Sequence, residues 1–216
     1  MGKAVLFDLD GTILDTAVDL GGALNHVLRH FGFPEKTESE YRNQASNGAL
    51  GLLTLGFGDS LENYDMAELR AMFLDYYENN IAVRTTFYEG FEQLLVSLND
   101  MNIPWGIVTN KPEYLTLKLL PHYKLFESCG VVVGGDTLPQ RKPDPAPLVF
   151  AAEKLNVAPS DCLYVGDAPR DIEAGNACNM KTIIAEWGYI DDLDSTKNWQ
   201  ADFSTKTPQE ILQFIK

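Results

Sequence analysis

Val5-Leu6-Phe7-Asp8-Leu9-Asp10-Gly11-Thr12 is the stretch on which the reading of this chain turns. Three apolar residues run into a carboxylate, a leucine, a second carboxylate and a Gly-Thr break. A short apolar run ended by turn residues reads as a buried strand. Acids at the carboxyl end of a parallel strand stand where open α/β sheets bind ligands. Residues two apart on a strand share a face, so the spacing predicts that Asp8 and Asp10 converge on one target while Leu9 packs behind them. The plainer reading of the same residues is an Asx turn closing a strand.

Working outward, the rhythm is helical from Asp15 to about Val83. Leu20, Leu24, Val27, Leu28 and Phe31 form one apolar stripe at helical spacing, with Asp15 or Thr16 as its N-cap; Met66, Leu69, Phe73 and Tyr76 form another. Ser46-Asn47-Gly48-Ala49 reads as a turn between them. Phe73, Tyr76 and Tyr77 are expected to be core. From about Thr86 strands and helices alternate. Phe91, Leu94, Leu95, Leu98 and Met101 make a helical stripe, Trp105–Thr109 a strand, and Pro112 the first position of a helix. Val131–Val133 reads as a strand before Gly134-Gly135, and a helix is expected near Pro145 to Leu155. Cys162–Val165 reads as a strand ending at Gly166-Asp167. A helix opened by Pro169 then stops near Asn179, a residue that tolerates the left-handed conformation. Lys181–Ala185 is a further strand, and Thr207-Pro208-Gln209-Glu210 a capping box for a last helix with Ile211, Leu212 and Ile215 inward. The pattern predicts an α/β fold: a doubly wound parallel sheet interrupted after its first strand by a small helical domain. The expected division is 1–15 with 86–216 for the sheet domain and 16–85 for the helical insertion. Hinges are expected at Thr12 to Thr16 and Arg84 to Tyr88, with the insertion covering the acids like a lid.

The 216 residues suit one large α/β domain, or a core with a smaller insertion. No apolar stretch approaches the ~20 residues needed to span a bilayer. Asp8 and Asp10 so close to the start argue against a signal peptide, and Leu6 breaks a myristoylation motif. The net charge of −14 argues against nucleic-acid binding. It also requires that an anionic substrate be received by a metal ion and local cations. Cys129, Cys162 and Cys178 are odd in number and lack CxxC spacing, which predicts buried free thiols in a reducing cytoplasm. His26 and His30, four apart, have no third ligand and are expected on a solvated face.

The chemistry gathers at four strand ends. The first offers Asp8 and Asp10, the second Thr109-Asn110-Lys111. The segment after the third carries Arg141-Lys142-Pro143-Asp144, and the fourth gives Gly166-Asp167 with Asp171 four places on. Asp8, Asp10 and Asp167 together would make a hard, all-oxygen site suited to Mg²⁺. Lys142 would supply fixed positive charge, while the Thr109 hydroxyl and helix-start N–H groups would hold phosphate oxygens. This set points to phosphoryl transfer with a carboxylate nucleophile. Asp8 would attack phosphorus. Asp10 would protonate the leaving oxygen and then take a proton from the hydrolytic water.

In this order the DLDGT run, the Thr109 strand end, Lys142-Pro143 and Gly166-Asp167 with Asp171 resemble the four motifs of the haloacid dehalogenase superfamily. The helical insertion resembles the C1 cap of its phosphoglycolate phosphatase branch. The resemblance implies a Rossmann-like core, Asp8 as nucleophile and Asp10 as acid/base. It implies magnesium held by the Asp8 carboxylate, the Asp10 main-chain oxygen and Asp167, with Asp171 binding or orienting the metal shell. Thr109, Asn110 and Lys142 would bind the phosphoryl group. Trp105–Pro112, Trp187-Gly188-Tyr189-Ile190 and Asn198-Trp199-Gln200-Ala201-Asp202 look like the bacterial phosphoglycolate phosphatases and their relatives that act on N-acetylmuramic acid 6-phosphate. Two features depart from, or select within, the family pattern: Ala168 stands where a serine usually follows the fourth-motif aspartate, and the acid Asp10 is one that the dehalogenases lack. A small phosphorylated metabolite is therefore the expected partner, with Lys111, Arg42, Asn47 and Gly48 as candidate substrate contacts and Arg170 facing substrate or a neighbouring acid. An isomerase of the β-phosphoglucomutase type, or a silent binding protein with the same fold, would also fit the motifs. Oligomeric state is not legible.

Overall fold

The strand predicted around Val5 lies at the centre of a six-stranded parallel sheet in a computed structural model that describes residues 2–215. Met1, part of the opening read for a leader, lies outside the described residues. The order of elements is β1 (Ala4–Phe7), β2 (Leu14–Asp15), α1 (Ala17–His30), α2 (Glu38–Tyr41), α3 (Gly48–Phe57), α4 (Met66–Asn79), β3 (Thr86–Phe87) and α5 (Phe91–Asp100). Next come β4 (Trp105–Val108), α6 (Glu113–Leu119), β5 (Val131–Val133), α7 (Ala146–Lys154), β6 (Cys162–Gly166), α8 (Pro169–Ala177), β7 (Lys181–Ala185) and β8 (Phe203–Thr205).

The sheet runs β5-β4-β1-β6-β7-β8. Every residue of β1, β4 and β6 is buried, as parallel strands covered on both faces require, which is why each reads as an unbroken apolar run. Leu6 pairs with Gly106 on one side and with Tyr164 on the other. The connections after β1 travel first to β4 and β5, then return across β1 to β6, β7 and β8. The direction of winding reverses beside β1, so the loops leaving β1, β4 and β6 diverge and leave a crevice at their carboxyl ends. Asp8, Thr109 and Asp167 follow those three strands.

The chain divides into two compact units. One runs through Leu14 and resumes at Phe87; the other is Asp15–Thr86. Both crossings fall within β2 and β3, which form a separate two-stranded sheet. Within the second unit α1 buries Leu20, Leu24, Val27 and Leu28. Gly21 lies against the Tyr41 ring, where a β-carbon would collide with it. Asp19 is buried and its carboxylate accepts the N–H of Arg84 and both the N–H and hydroxyl of Thr85.

Several local expectations shift. Tyr77, not Tyr76, is the deeply buried tyrosine of α4; Tyr76 stacks on His26 with ring centroids 4.4 Å apart. Met101 is exposed, because α5 ends at Asp100 and its stripe ends with it. Pro112 caps α6 from outside rather than opening it, since its ψ of 137° is extended. The last helix is a 3₁₀ segment, Pro208–Phe214, and Glu210 accepts the N–H of Lys206 rather than completing a box on Thr207. β8, an exposed edge strand over most of its length, carries no apolar run and escaped the sequence pattern. Asn179 takes φ +60° after α8, as expected.

Candidate active site

Every residue of the site described next belongs to the first unit. Asp8 is the residue that follows β1. Its N–H donates to Val165 O, prolonging the pairing with β6. The carboxylate is nearly buried, and Oδ1 accepts the N–H of Leu9 at 2.8 Å and meets Lys142 Nζ at 2.9 Å. Among the described residues Oδ2 takes no hydrogen bond. The strand alternation does not continue past Asp8. Leu9 O collects the N–H groups of Ile13 and Leu14 at 3.0 Å each, so the chain coils into a tight turn there. Gly11 serves that turn at φ +88°, and a β-carbon on it would strike Asp167 and Tyr189. Asp10 therefore leaves the strand register, and its carboxylate pairs with Lys111 Nζ at 3.0 Å.

Lys142 reaches the same place from the loop that follows β5. Its side chain is fully buried. Nζ stands 2.9 Å from Asp8 Oδ1, 2.7 Å from Asp171 Oδ1, 2.9 Å from Val108 O and 2.8 Å from the Tyr164 hydroxyl. Three ammonium hydrogens thus serve four acceptors, which fixes a charge that burial alone would expel. The peptide bond between Lys142 and Pro143 is cis. Asn110 holds this loop, because its amide Nδ2 donates to Lys142 O at 2.9 Å.

Asp167 follows β6 and is clamped from two sides. Thr12 Oγ1 donates to Oδ1 at 3.1 Å and Tyr189 N to Oδ2 at 2.9 Å. Asp171, in the first turn of α8, accepts Ala168 N at 3.0 Å and is fully buried. A β-carbon at Gly166 would collide with the Asp171 side chain, so glycine there lets α8 start close to the sheet. Asp8, Asp167 and Asp171 each offer a carboxylate oxygen within 4.8 Å of the others, and all three are buried. Asp171, which the resemblance placed at the metal shell, is the third carboxylate of this group; the Asp10 carboxylate, which the strand spacing set beside Asp8, pairs with Lys111 instead.

The electrostatics follow from that crowding. Burial drives the Asp171 carboxyl above the usual carboxylate range, against the pull of Lys142. Burial likewise holds the Tyr164 hydroxyl well above its ordinary value, so it remains a proton donor. Burial opposes the charge on Arg170, but Asp171, Asp8 and Asp167 outweigh it and keep the guanidinium protonated. At formal charge Asp8, Asp10, Asp167 and Asp171 exceed Lys111, Lys142 and Arg170 by one negative charge. A dianionic ligand could not enter such a site alone. Three converging buried carboxylates supply the all-oxygen donor set that a hard divalent cation requires, so the residues fit a metal.

Thr109 is buried, and its Oγ1 accepts Lys111 N at 3.2 Å. Asn110 donates one amide hydrogen to Lys142 O, and its buried Oδ1 has no hydrogen-bond partner among the described residues. That oxygen would repel a phosphate and seeks a donor instead. In the second unit, Arg42 pairs with Asp15 at 2.9 Å and Glu38 at 2.7 Å, Asn47 donates to Gln44, and Gly48 sits at φ +60° with open space about it. The three thiols have no role here. Burial pushes Cys129 up to about 11 and Cys162 to about 12, and raises Cys178.

Thr12, Tyr164, Trp187 and Tyr189 were not anticipated as parts of the site. Tyr164 had a signal: a tyrosine within the buried run Cys162–Gly166 needs a partner for its hydroxyl. The other three stand in runs singled out above, Thr12 in DLDGT and Trp187 and Tyr189 in Trp187-Gly188-Tyr189-Ile190, but their hydrogen bonds join loops far apart in sequence, a pairing no local pattern encodes.

The profile of the haloacid dehalogenase-like hydrolases matches residues 5–185. The chain is 40% identical over 212 residues to a phosphoglycolate phosphatase of Xanthomonas campestris pv. campestris, covering 97% of this chain and 94% of that one. It is 36% identical over 213 residues to an N-acetylmuramic acid 6-phosphate phosphatase of Pseudomonas aeruginosa, covering 99% and 94%. A crystal structure of a predicted phosphoglycolate phosphatase from Haemophilus somnus 129pt has the same fold, with a TM-score of 0.87 at 24% identity over 99% of this chain and 97% of the other. With the four motifs gathered around the carboxyl ends of β1, β4 and β6, this chain belongs to the haloacid dehalogenase-like hydrolase family.

Proposed function

We propose that the chain is a Mg²⁺-dependent phosphatase that hydrolyses a small phosphomonoester through an aspartyl-phosphate on Asp8. The observation that carries this reading is the state of the Asp8 carboxylate. Lys142 and Leu9 both hold Oδ1, which orients the group and leaves Oδ2 for bond formation. Asp8, Asp167, Asp171 and the Asp10 main-chain oxygen would hold the metal ion, which supplies positive charge opposite the transferring phosphoryl group.

Asp8 Oδ2 bonds to phosphorus as the phosphorus–ester oxygen bond breaks. Asp10 gives that oxygen a proton, so the leaving group departs as an alcohol. Asp10, now a carboxylate, takes a proton from the water that attacks the aspartyl-phosphate. Phosphate leaves and the Asp8 carboxylate is restored. Lys142 and Thr109 bind the phosphoryl oxygens; for Asn110 the main-chain N–H is the group of the right polarity, its side-chain amide being committed to Lys142. We assign leaving-group selection to the helical unit, with Arg42, Asn47 and Gly48 as candidate contacts, and to Lys111.

The two relatives support 2-phosphoglycolate or N-acetylmuramic acid 6-phosphate as the substrate, both phosphomonoesters that also carry a carboxylate. Phosphate release from these and from hexose phosphates, with Mg²⁺ and with EDTA, tests the reading. Metal-dependent release from one carboxylate-bearing ester, abolished by Asp8→Asn in a folded protein, is expected. Activity that survives Asp8→Asn rejects the nucleophile. Isomer formation from a hexose phosphate without free phosphate would instead favour a mutase.

A further inference from the structure

We infer that Trp187 is a positioning residue for Asp167, acting through the main chain of Thr12. The inference rests on the reading of Asp167 as a metal ligand. Trp187, Gly188 and Tyr189 follow β7, the neighbour of the strand that delivers Asp167. Gly188 N is anchored on Ala185 O at 3.1 Å. From that anchor the loop grips its target twice. Tyr189 N donates directly to Asp167 Oδ2 at 2.9 Å. The Trp187 indole Nε1 donates to Thr12 O at 2.9 Å, and Thr12 Oγ1 in turn donates to Asp167 Oδ1 at 3.1 Å.

The fit leaves no slack. A β-carbon on Gly188 would collide with Asp167 Cβ and approach Gly11 O, and one on Gly11 would collide with Asp167 Oδ2 and Tyr189. Thr12 is fully buried, and a β-branched side chain has little freedom about χ1. The indole bond to its carbonyl fixes the backbone position from which its hydroxyl reaches Asp167. Thr12 Oγ1 and Tyr189 N thus reach the two oxygens of Asp167 from opposite sides and fix the orientation of its carboxylate. Outer partners of this kind set ligand orientation, and their loss typically costs ~10–100-fold in metal affinity or activity.

Direct Mn²⁺ binding, read from the free-ion electron paramagnetic resonance signal, separates this role from general stability. Trp187→Phe keeps an aromatic ring beside Phe91 and removes the N–H together with the pyrrole half of the indole. It is expected to weaken Mn²⁺ binding about tenfold. Trp105→Phe removes an indole bond to Asn99 Oδ1 elsewhere in the same unit and is expected to leave Mn²⁺ affinity unchanged. Thr12→Val should reproduce the loss, Thr12→Ser should restore binding, and Trp187→Phe on top of Thr12→Val should add little, since both cut one chain of contacts. If Trp187→Phe does not fold, benzothienylalanine at position 187, which has the indole shape without the N–H, takes its place. Wild-type affinity in the Trp187 variant, or full additivity with Thr12→Val, overturns the inference while leaving the metal reading intact. Failure of the wild-type protein to bind Mn²⁺ overturns both.

Discussion

Replacing Lys142 by methionine keeps the length of the side chain and deletes its charge. Nζ lies 2.9 Å from Asp8 and 2.7 Å from Asp171, with the lysine side chain fully buried. At an effective dielectric near 20, each of these pairs has a gross attraction of about 6 kcal/mol. Most of it offsets desolvation, but removing one partner strands the other, and the net cost of breaking a buried pair is about 3–5 kcal/mol. Total stabilities of domains are about 5–15 kcal/mol, so Lys142→Met is expected to lose a large part of the whole. The loss depends on pH. Burial already raises the Asp171 carboxyl in the native protein, and without the ammonium it rises further. A carboxyl whose folded pKa exceeds its unfolded value binds more protons when folded. Its stability contribution is present below the unfolded value and is lost as pH rises through the folded one. The variant should therefore be closer to wild type near pH 4 than at pH 8. Urea denaturation in EDTA, at both pH values, measures this. The double variant Lys142→Met with Asp171→Asn, which removes a stranded charge along with its partner, should recover at least about 1–2 kcal/mol at pH 8. A Lys142→Met protein within about 1 kcal/mol of wild type at pH 8, or a double variant no more stable than the single, would refute the view of Lys142 as the keystone of a buried charge cluster.

Asp10→Asn should lower turnover by roughly 10²–10⁴-fold, because the group acts on protons in both half-reactions, and should also lower the melting temperature, because it breaks the ion pair with the buried Lys111; steady-state phosphate release and thermal denaturation measure the two. Gly11→Ala places a β-carbon against Asp167 at a backbone φ of +88°, so a destabilisation of about 1–3 kcal/mol is expected from strain alone, together with lost activity; thermal denaturation and phosphate release report both. The thiols of Cys129 and Cys162, pushed up to about 11 and about 12 by burial, should resist iodoacetamide at pH 8 in the native protein and react promptly in urea, since alkylation needs thiolate. Labelling followed by mass spectrometry decides it.

The extent of what was legible follows from the range of the interactions involved. The strands β1, β4 and β6 were readable because strands buried on both faces must be continuously apolar, and Asp8 was readable because it interrupts such a run at its end. α1 and α4 were readable because only one stripe of each faces a core, although the final place in the second stripe went to Tyr77 rather than Tyr76. β8 was not readable, since an exposed edge strand has no such constraint. Asn110 was placed at the phosphoryl group by the resemblance, yet the direction its side chain takes depends on Lys142 O, a partner 32 positions away.

The amino-acid order alone thus determined the elements and the inventory of reactive groups, because apolar periodicity and turn residues act over a few positions. Which of those groups meet is set by the folded chain. The Asp171 carboxylate joins those of Asp8 and Asp167 while Asp10's turns to Lys111, because the chain coils after Leu9 while α8 starts hard against the sheet at Gly166. Lys142 spans Asp8 and Asp171, and Trp187 reaches Thr12 across 175 positions. Charge pairing and hydrogen bonding act over a few ångströms of space, and the reversal of winding beside β1 is what brings those remote positions within that distance.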